Sequence, residues 1–144
     1  MLEGKEIRLD LSININNAYY YHIYRKSDNT HVGNCGLRLD NNETNYILGN
    51  IECEIFNDYR GNNYAYQACL LLGDFAASKG VTKLVITSRP TNIPSIKTIE
   101  KLGVKYLEVK KVPKDNILYK QGDRFVNIYE WSIGGKENDR HKIN

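Results

Sequence analysis

The chain has 144 residues, of which 41% are hydrophobic and 26% charged, and its formal net charge is +3. That length suits one domain with its own core, and so small a charge favours neither a nucleic-acid-binding protein nor a membrane-surface protein. The chain has no apolar run as long as a transmembrane span, no signal-peptide pattern at its N-terminus, and three scattered cysteines without metal-ligand spacing. We therefore expect a cytoplasmic protein with free thiols and no bound metal.

The first part of the chain is patterned as β-strands separated by short polar turns. Strands are predicted over residues 7–15, 18–26, 30–39 and 46–56. The first is the clearest, because aliphatic and polar residues alternate in it with the period of a half-buried strand. Gly33 and Gly36, in the third, indicate a bulge or a close approach. The short turns predict an antiparallel meander.

A polar loop follows the fourth strand and leads into a helix. Gly61, Asn62 and Asn63 belong to the residue types that most readily reach positive φ. The alanine-rich apolar run after them predicts a helix over residues 63–79, with Gly80 at its C-terminal end. Such a loop leaves backbone N–H groups at the positive end of a helix, which is a binding site for an anion such as phosphate.

The second half continues with a strand at residues 83–87, a helix at 94–102 and a hairpin of strands at 105–112 and 124–133, joined by a polar loop. The helix can contain Pro94 because this residue lies in its first turn, and Gly103 ends it. The strand, helix, strand order predicts a parallel strand pair with a right-handed crossover. We expect residues 1–133 to form a single domain and the polar residues 134–144 to be a disordered tail.

Two segments resemble motifs of the GCN5-related N-acetyltransferases (GNAT). Residues 60–65, Arg-Gly-Asn-Asn-Tyr-Ala, are similar to the Arg/Gln-x-x-Gly-x-Gly/Ala loop with which that family holds the pyrophosphate of acetyl-CoA. They differ at Asn63, where the family usually has Gly, and Asn is the best non-Gly residue for a left-handed conformation. Residues 92–103 resemble the Asn-x-x-Ser-x-x-x-x-Glu-Lys-x-Gly segment of the ribosomal-protein alanine acetyltransferase branch. The two motifs stand in the order and at the separation that the family requires.

The resemblance implies a fold and a cofactor. The fold is a mixed α/β (α+β) domain with a mostly antiparallel central sheet, whose strands before and after the long helix splay apart. The pantetheine arm of acetyl-CoA lies in that gap, and no metal is implied. The residues implied to contact acetyl-CoA are Ile55, Phe56, Arg60, Gly61, Asn62, Asn63, Tyr64, Ala65, Asn92 and Ser95.

The resemblance also implies direct acetyl transfer from acetyl-CoA to a primary amine in a ternary complex. Glu52 and Glu54 share one face of a strand, so either can take the amine proton directly or through water; the alternative is two solvated carboxylates. Ser95 stands where related enzymes have a serine that stabilises the leaving thiolate, or it is a plain helix-start hydroxyl. Asn92 matches a family Asn that hydrogen-bonds the pantetheine or a core carbonyl.

Two cations lie in the motifs. Arg60 meets the diphosphate or is solvated, and we interpret Lys101 as a solvated helix-end charge rather than a phosphate contact. Many members of the family have a tyrosine four residues before the motif glycine, but this chain has Ile99 there, so the sequence assigns no acid to the leaving group.

Histidines and tyrosines carry weaker signals. His22, His31 and His141 share no spacing suited to a metal or a catalytic triad, so we expect surface or strand-face positions. The tyrosines are not interleaved with a basic stripe, which argues against base stacking on nucleic acid. We expect some of them to line the sheet and the floor of the acceptor pocket: Tyr20, Tyr24 and Tyr129.

Most GNAT proteins have two helices between the first two strands, which wall the acceptor site, and residues 15–18 leave no room for them here. We therefore expect an acceptor side that is open enough for a peptide or protein amine, or that a second subunit of a homodimer completes. Two alternatives remain. One is a different acyl donor on the same fold, and the other is an acyl-CoA-binding domain with weak or no turnover, which Asn63 and Ile99 favour.

Overall fold

A computed structural model of the chain describes residues 1–134. Apart from Gly134, the predicted tail lies outside the described residues. Within this range the strands are β1 (Leu2–Glu3), β2 (Ile7–Ile15), β3 (Ala18–Arg25), β4 (Thr30–Arg38), β5 (Ile51–Ile55), β6 (Lys83–Ser88), β7 (Lys105–Lys111) and β8 (Phe125–Ser132). The helices are α1 (Glu43–Leu48), α2 (Tyr64–Ser78), α3 (Ile93–Lys101) and α4 (Ile117–Lys120), and a single 3₁₀ turn covers Asn57–Tyr59.

The strands form two antiparallel sheets. The first has the order β1-β2-β3-β4-β5, which confirms the predicted meander, and the second has the order β6-β8-β7. The predicted hairpin of β7 and β8 is confirmed, although β8 also pairs with β6 and is therefore the central strand. The predicted parallel pair of β5 and β6 does not form a ladder, because the two strands belong to different sheets. The mixed α/β class with a splayed, mostly antiparallel sheet is confirmed.

The strand predicted over residues 46–56 is correct only for β5. Its first part forms the helix α1. Asn42 caps the start of this helix, because its Oδ1 accepts a hydrogen bond from the Asn45 N–H at 2.8 Å, and Gly49, with φ 87°, caps its end. These capping signals outweigh the strand preference of Tyr46 and Ile47. Ile47 is fully buried in a small second core. The polar loop before β8 likewise holds a short helix, α4, which was not predicted.

The main core lies between the five-stranded sheet and α2. Ala68, Leu72 and Ala76 are fully buried along one stripe of this helix, as predicted, and burial of Leu72 alone is worth about 2 kcal/mol. A Cβ at Gly73 would lie 2.5 Å from the ring of Trp131 on β8. The missing side chain lets the second sheet pack against the same helix, so α2 fixes both sheets.

Glycines also permit close strand contacts in the first sheet. A Cβ at Gly33 would overlap the Glu54 carbonyl oxygen, and one at Gly36 would lie 2.7 Å from the Tyr20 ring. Both positions confirm the predicted close approach. Between β2 and β3 the chain makes only a tight turn, with Asn16 at φ 55°, so this region has no helix pair.

Candidate active site

A gap opens between the two sheets, and Asn50 closes one end of it. The Asn50 N–H donates to the Val85 carbonyl oxygen at 2.7 Å, and Asn50 Oδ1 accepts from the Val85 N–H at 2.6 Å. Asn50 Nδ2 donates to the Arg38 carbonyl oxygen at 2.7 Å, and the side chain is buried. Beyond this point β5 stays paired with β4 and β6 stays paired with β8, so β5 and β6 diverge.

The edge of β5 that faces the gap is set by its pairing with β4. The Phe56 N–H donates to the Val32 carbonyl oxygen at 2.9 Å, and Glu54 stands opposite Asn34 in the same ladder. Since successive residues of a strand point their amides to opposite edges, the Ile55 amide faces away from β4 and into the gap. Of the two residues predicted to form the unpaired edge, Ile55 has its amide on that edge, whereas the Phe56 amide is already bonded to β4.

The loop after β5 has the conformation that its sequence predicts. Gly61 has φ 89° and Asn63 has φ 63°, so the Asn that replaces the family glycine is left-handed. Asn63 stands at the N-terminus of α2, where no side chain within residues 1–134 caps the helix. The first N–H groups of α2, from Tyr64 onward, therefore lie beside the open space around Gly61.

Two cations lie beside this loop. Arg60 Nε donates to the Ile55 carbonyl oxygen at 2.9 Å, so the side chain folds back onto the strand edge. Lys101 Nζ lies 3.2 Å from Asn63 Oδ1 and 4.4 Å from the centre of the Tyr66 ring. Lys101 is exposed and lies in the last turn of α3, as interpreted, but it also has these two contacts at the loop. Because α3 packs beside α2, the Lys101 ammonium lies next to Asn63 of the loop, which is 38 residues away in sequence.

The second motif forms the start of α3. Asn92 Oδ1 accepts a hydrogen bond from the Ser95 N–H at 3.2 Å, so Asn92 is the N-cap of the helix and Ser95 lies in its first turn. Ile99, which stands at the family's tyrosine position, is 4% exposed and belongs to the core. No phenol can reach the gap from that position.

Ser88 was not singled out in the sequence. It ends β6, whose free edge faces β5, and its Oγ is buried without a hydrogen-bond partner among the described residues. Such orphaned hydroxyls are uncommon in proteins. The sequence does contain a signal for this residue. Leu84, Ile86 and Ser88 occupy alternate buried positions of β6, and an aliphatic residue would be expected at the third of them.

Both predicted carboxylates lie on one face of the first sheet, beside a cleft of about 360 Å³. Glu52 Oε1 accepts from Arg38 Nη1 at 2.9 Å in a salt bridge. Glu54 makes no ion pair with another residue in the range 1–134. The cleft is also lined by Ser12, Tyr20, His22 and Asn34. Glu54 is therefore the carboxylate that can receive a cationic ligand there.

His22 and His31 both lie on strand faces, as predicted, but sequence reasoning did not bring them together. Each ring has a nitrogen 2.9 Å from Asn34 Oδ1. The available signal was the predicted hairpin, which places residues near 22 and 34 opposite each other. His141 lies outside the described residues.

The three cysteines are free thiols, as expected. Burial raises the pKa of Cys69 to about 12, and burial raises that of Cys35 further. Both thiols stay protonated at neutral pH, so neither serves as a nucleophile. In the described part of the chain no three side chains are grouped to hold a metal ion. No helix of residues 1–134 is long and apolar enough to cross a membrane.

A sequence model of the acetyltransferase (GNAT) domain matches residues 5–105. The search of curated proteins finds no match. Similar solved structures include the ribosomal-protein-S5-alanine acetyltransferase from Vibrio fischeri, at 18% identity and a TM-score of 0.66 over 82% of this chain and 63% of that one. The ribosomal L7/L12 alpha-N-protein acetyltransferase RimL, in complex with coenzyme A, is 20% identical, with a TM-score of 0.64 and the same two coverages.

A third similar structure is the microcin C7 self-immunity acetyltransferase MccE, in complex with acetyl-CoA and AMP. It is 16% identical, with a TM-score of 0.61 over 81% of this chain and 62% of that one. At these identities the likeness concerns the fold. The present chain spans 62–63% of the length of these three structures.

Proposed function

This chain belongs to the GNAT acetyltransferase family, because the model of that domain matches residues 5–105 of 144, and on this premise we propose that it acetylates a primary amine from acetyl-CoA. The observation that carries the proposal is the continuity of the gap with the loop. The free edge of β5 at Ile55 leads directly into the left-handed turn at Gly61 and Asn63, so one extended cofactor can contact both.

In this proposal the diphosphate of acetyl-CoA binds the backbone N–H groups of residues 61–65, beside the charge of Lys101. The pantetheine arm follows the edge of β5, and the Ile55 N–H donates to the thioester carbonyl oxygen. A donor at that position stabilises the negative charge that develops during attack. Ser88 and the second-motif residue Asn92 supply further polar contacts, and the structure of RimL with coenzyme A supports the choice of cofactor.

The acceptor binds on the face that carries Glu54. The ammonium form of the amine pairs with this carboxylate, which takes one proton directly or through water. The neutral amine then attacks the thioester carbon, the carbon–sulfur bond breaks, and the Ser95 hydroxyl stabilises the leaving thiolate, which takes the second proton that the nitrogen loses. Glu52 is the less suitable base, because its salt bridge with Arg38 occupies it. No covalent enzyme intermediate is required.

The acceptor is a peptide or protein amine. The turn at Asn16 replaces the helices that would wall the cleft, so an extended chain can approach Glu54 from solvent. The activity in the name of the Vibrio fischeri protein supports a peptide that begins with alanine as the first probe. Alternatively, a second copy of the chain covers the exposed Ile13 and Ile15 and completes the acceptor side of the cleft. The three free thiols fit a reducing compartment, and we place the protein in the cytoplasm.

A catalytically inactive acyl-CoA-binding domain is the second candidate. Ile99 favours it, because the buried side chain offers no acid to the leaving thiolate. Calorimetric titration of coenzyme A and acetyl-CoA tests binding, and thiol release over an amine panel that includes the alanine peptide tests turnover. Binding without turnover on any amine supports the second candidate, and absence of heat with coenzyme A refutes both. Gel filtration with and without acetyl-CoA tests the dimer.

Glu54→Gln tests the assigned role within that assay. We expect kcat/KM for the alanine peptide to fall by about 10²-fold, since acid–base catalysis contributes about that much, while the heat of acetyl-CoA binding stays the same. Glu43→Gln, on α1, is the matched control and is expected to change neither quantity. An unchanged rate in the Glu54 variant removes this carboxylate from the mechanism.

A further inference from the structure

A row of polar side chains crosses the first sheet at one register. His22 on β3 stands opposite Asn34 on β4, and Asn34 stands opposite Glu54 on β5. Because neighbouring strands lie about 4.8 Å apart, residues paired in this way project from the same face as direct neighbours. His22 and Glu54 therefore share the cleft, with Asn34 between them.

Hydrogen bonds to Asn34 fix the tautomers of His22 and of the neighbouring His31. Asn34 Oδ1 lies 2.9 Å from His22 Nδ1 and 2.9 Å from His31 Nε2. A carboxamide oxygen can only accept, so both ring nitrogens must carry a hydrogen and donate to it. A neutral His22 then has its lone pair on Nε2, at the ring edge that points away from Asn34.

The two rings have different surroundings. His31 packs against Phe56, with ring centres 5.1 Å apart, and against Tyr24 at 5.2 Å. His22 lies 4.9 Å from His31 at an interplanar angle of 75°, and it is the histidine that lines the cleft. His31 is therefore held among aromatic rings and packs against His22, whereas the free nitrogen of His22 is available to a ligand.

The geometry points to His22 as a further catalytic residue, which takes at Nε2, through water, the proton that the acceptor ammonium loses. This inference rests on the proposed acetyl transfer and deepens it. Glu54 then holds the ammonium as its counter-ion, and Asn34 is a positioning residue that keeps the ring in the basic tautomer. A neutral imidazole is a stronger base than a carboxylate in water, so it is the better acceptor of the two.

The ammonium gives one proton, through water, to His22 Nε2, and the lone pair left on nitrogen forms the new bond to the thioester carbon. The carbon–sulfur bond breaks, and the second proton lost by nitrogen goes to the departing sulfur. The products are the acetylated amine, coenzyme A and a protonated His22, which returns its proton to solvent.

The first test needs no turnover. Long-range ¹H–¹⁵N correlation spectra of the labelled wild-type protein at neutral pH report which ring nitrogen of each histidine carries the hydrogen. We expect Nδ1–H for His22 and Nε2–H for His31, and loss of the His22 preference in Asn34→Leu. An Nε2–H tautomer at His22 overturns the inference even if acetyl transfer is intact, because the lone pair would then face Asn34.

The second test separates the two bases by the pH dependence of kcat/KM for acetyl-CoA and the alanine peptide. The titratable and charged side chains around the His22 ring are Arg8, Asp10, Tyr20, Tyr24, His31, Glu52 and Glu54. In wild type, protonation of the base lowers the rate on the acidic side. We expect His22→Gln to lower kcat by about 10²-fold and to abolish this acidic decline.

In Glu54→Gln the acidic decline should persist while KM for the peptide rises, because only the counter-ion is lost. His31→Gln is the matched loss of an imidazole, and it should keep the decline. A decline that persists in His22→Gln and disappears in Glu54→Gln overturns the inference and assigns the base to Glu54. Failure of the proposed function itself is seen separately, as the absence of wild-type thiol release with every amine.

Discussion

Replacing Asn50 by alanine tests whether one side chain holds the two sheets together. The change removes the acceptor of the Val85 N–H and the donor to the Arg38 carbonyl oxygen, which leaves both main-chain groups without their partner. Asn50 itself is 4% exposed, so water cannot readily replace the lost bonds. The backbone bond from the Asn50 N–H to Val85 stays in place.

The size of the effect follows from these two bonds. A buried partner left unsatisfied costs about 1–3 kcal/mol, so we expect Asn50→Ala to lower the free energy of unfolding by about 3 kcal/mol. For a domain of this size, about 3 °C of Tm is lost per kcal/mol, which gives a fall of about 10 °C. Affinity for acetyl-CoA should fall as well, since the gap between the strands loses its fixed end.

Urea unfolding followed by the fluorescence of Trp131 measures the change, because this single tryptophan is buried on β8 of the second sheet. Asn17→Ala is the matched control. Its side chain makes one exposed hydrogen bond to Asp40 at 2.8 Å, and its loss should cost less than about 0.5 kcal/mol. If Asn50→Ala lowers the free energy of unfolding by less than about 1 kcal/mol, which is below the expected value for even one such bond, the Asn50 side chain does not hold the two sheets together.

Two further predictions concern the loop and the core. Gly61→Val should weaken acetyl-CoA binding about tenfold, or about 1.4 kcal/mol, because the backbone at φ 89° suits glycine. Gly80→Val, at φ 87° in equally open space, carries the same backbone strain and should leave the affinity unchanged. Equal calorimetric affinities in the two variants would contradict the proposed binding site. Burial raises the pKa of Tyr21 to about 12, above its unfolded value near 10, so its contribution to stability is present below pH 10 and is lost as pH rises towards 12. Tyr21→Phe should therefore flatten the fall of Tm between pH 10 and 12, and an unchanged slope would argue against the buried hydroxyl.

Local patterns determined much of this protein. The alternation in β2, the alanine-rich run of α2 and the loop at Gly61 depend on neighbours in sequence, and each was predicted within a few residues. Asn63 was expected to accept a left-handed backbone, and it does. The errors among the elements arose where two local signals competed, as at residues 43–48, where helix caps outweighed the strand preference of Tyr46 and Ile47.

Contacts between distant segments were decided by tertiary structure alone. The sequence placed Glu52 and Glu54 on one face, because strand geometry has a period of two, but packing decided that Arg38 neutralises the first and leaves the second available. Lys101 reached the loop because α3 lies beside α2, and His22, Asn34 and His31 met because β3 and β4 pair in one particular register. A strand pattern states which face a side chain takes, whereas register and helix packing depend on the whole core, and these two set which charges and hydrogen bonds meet in the site.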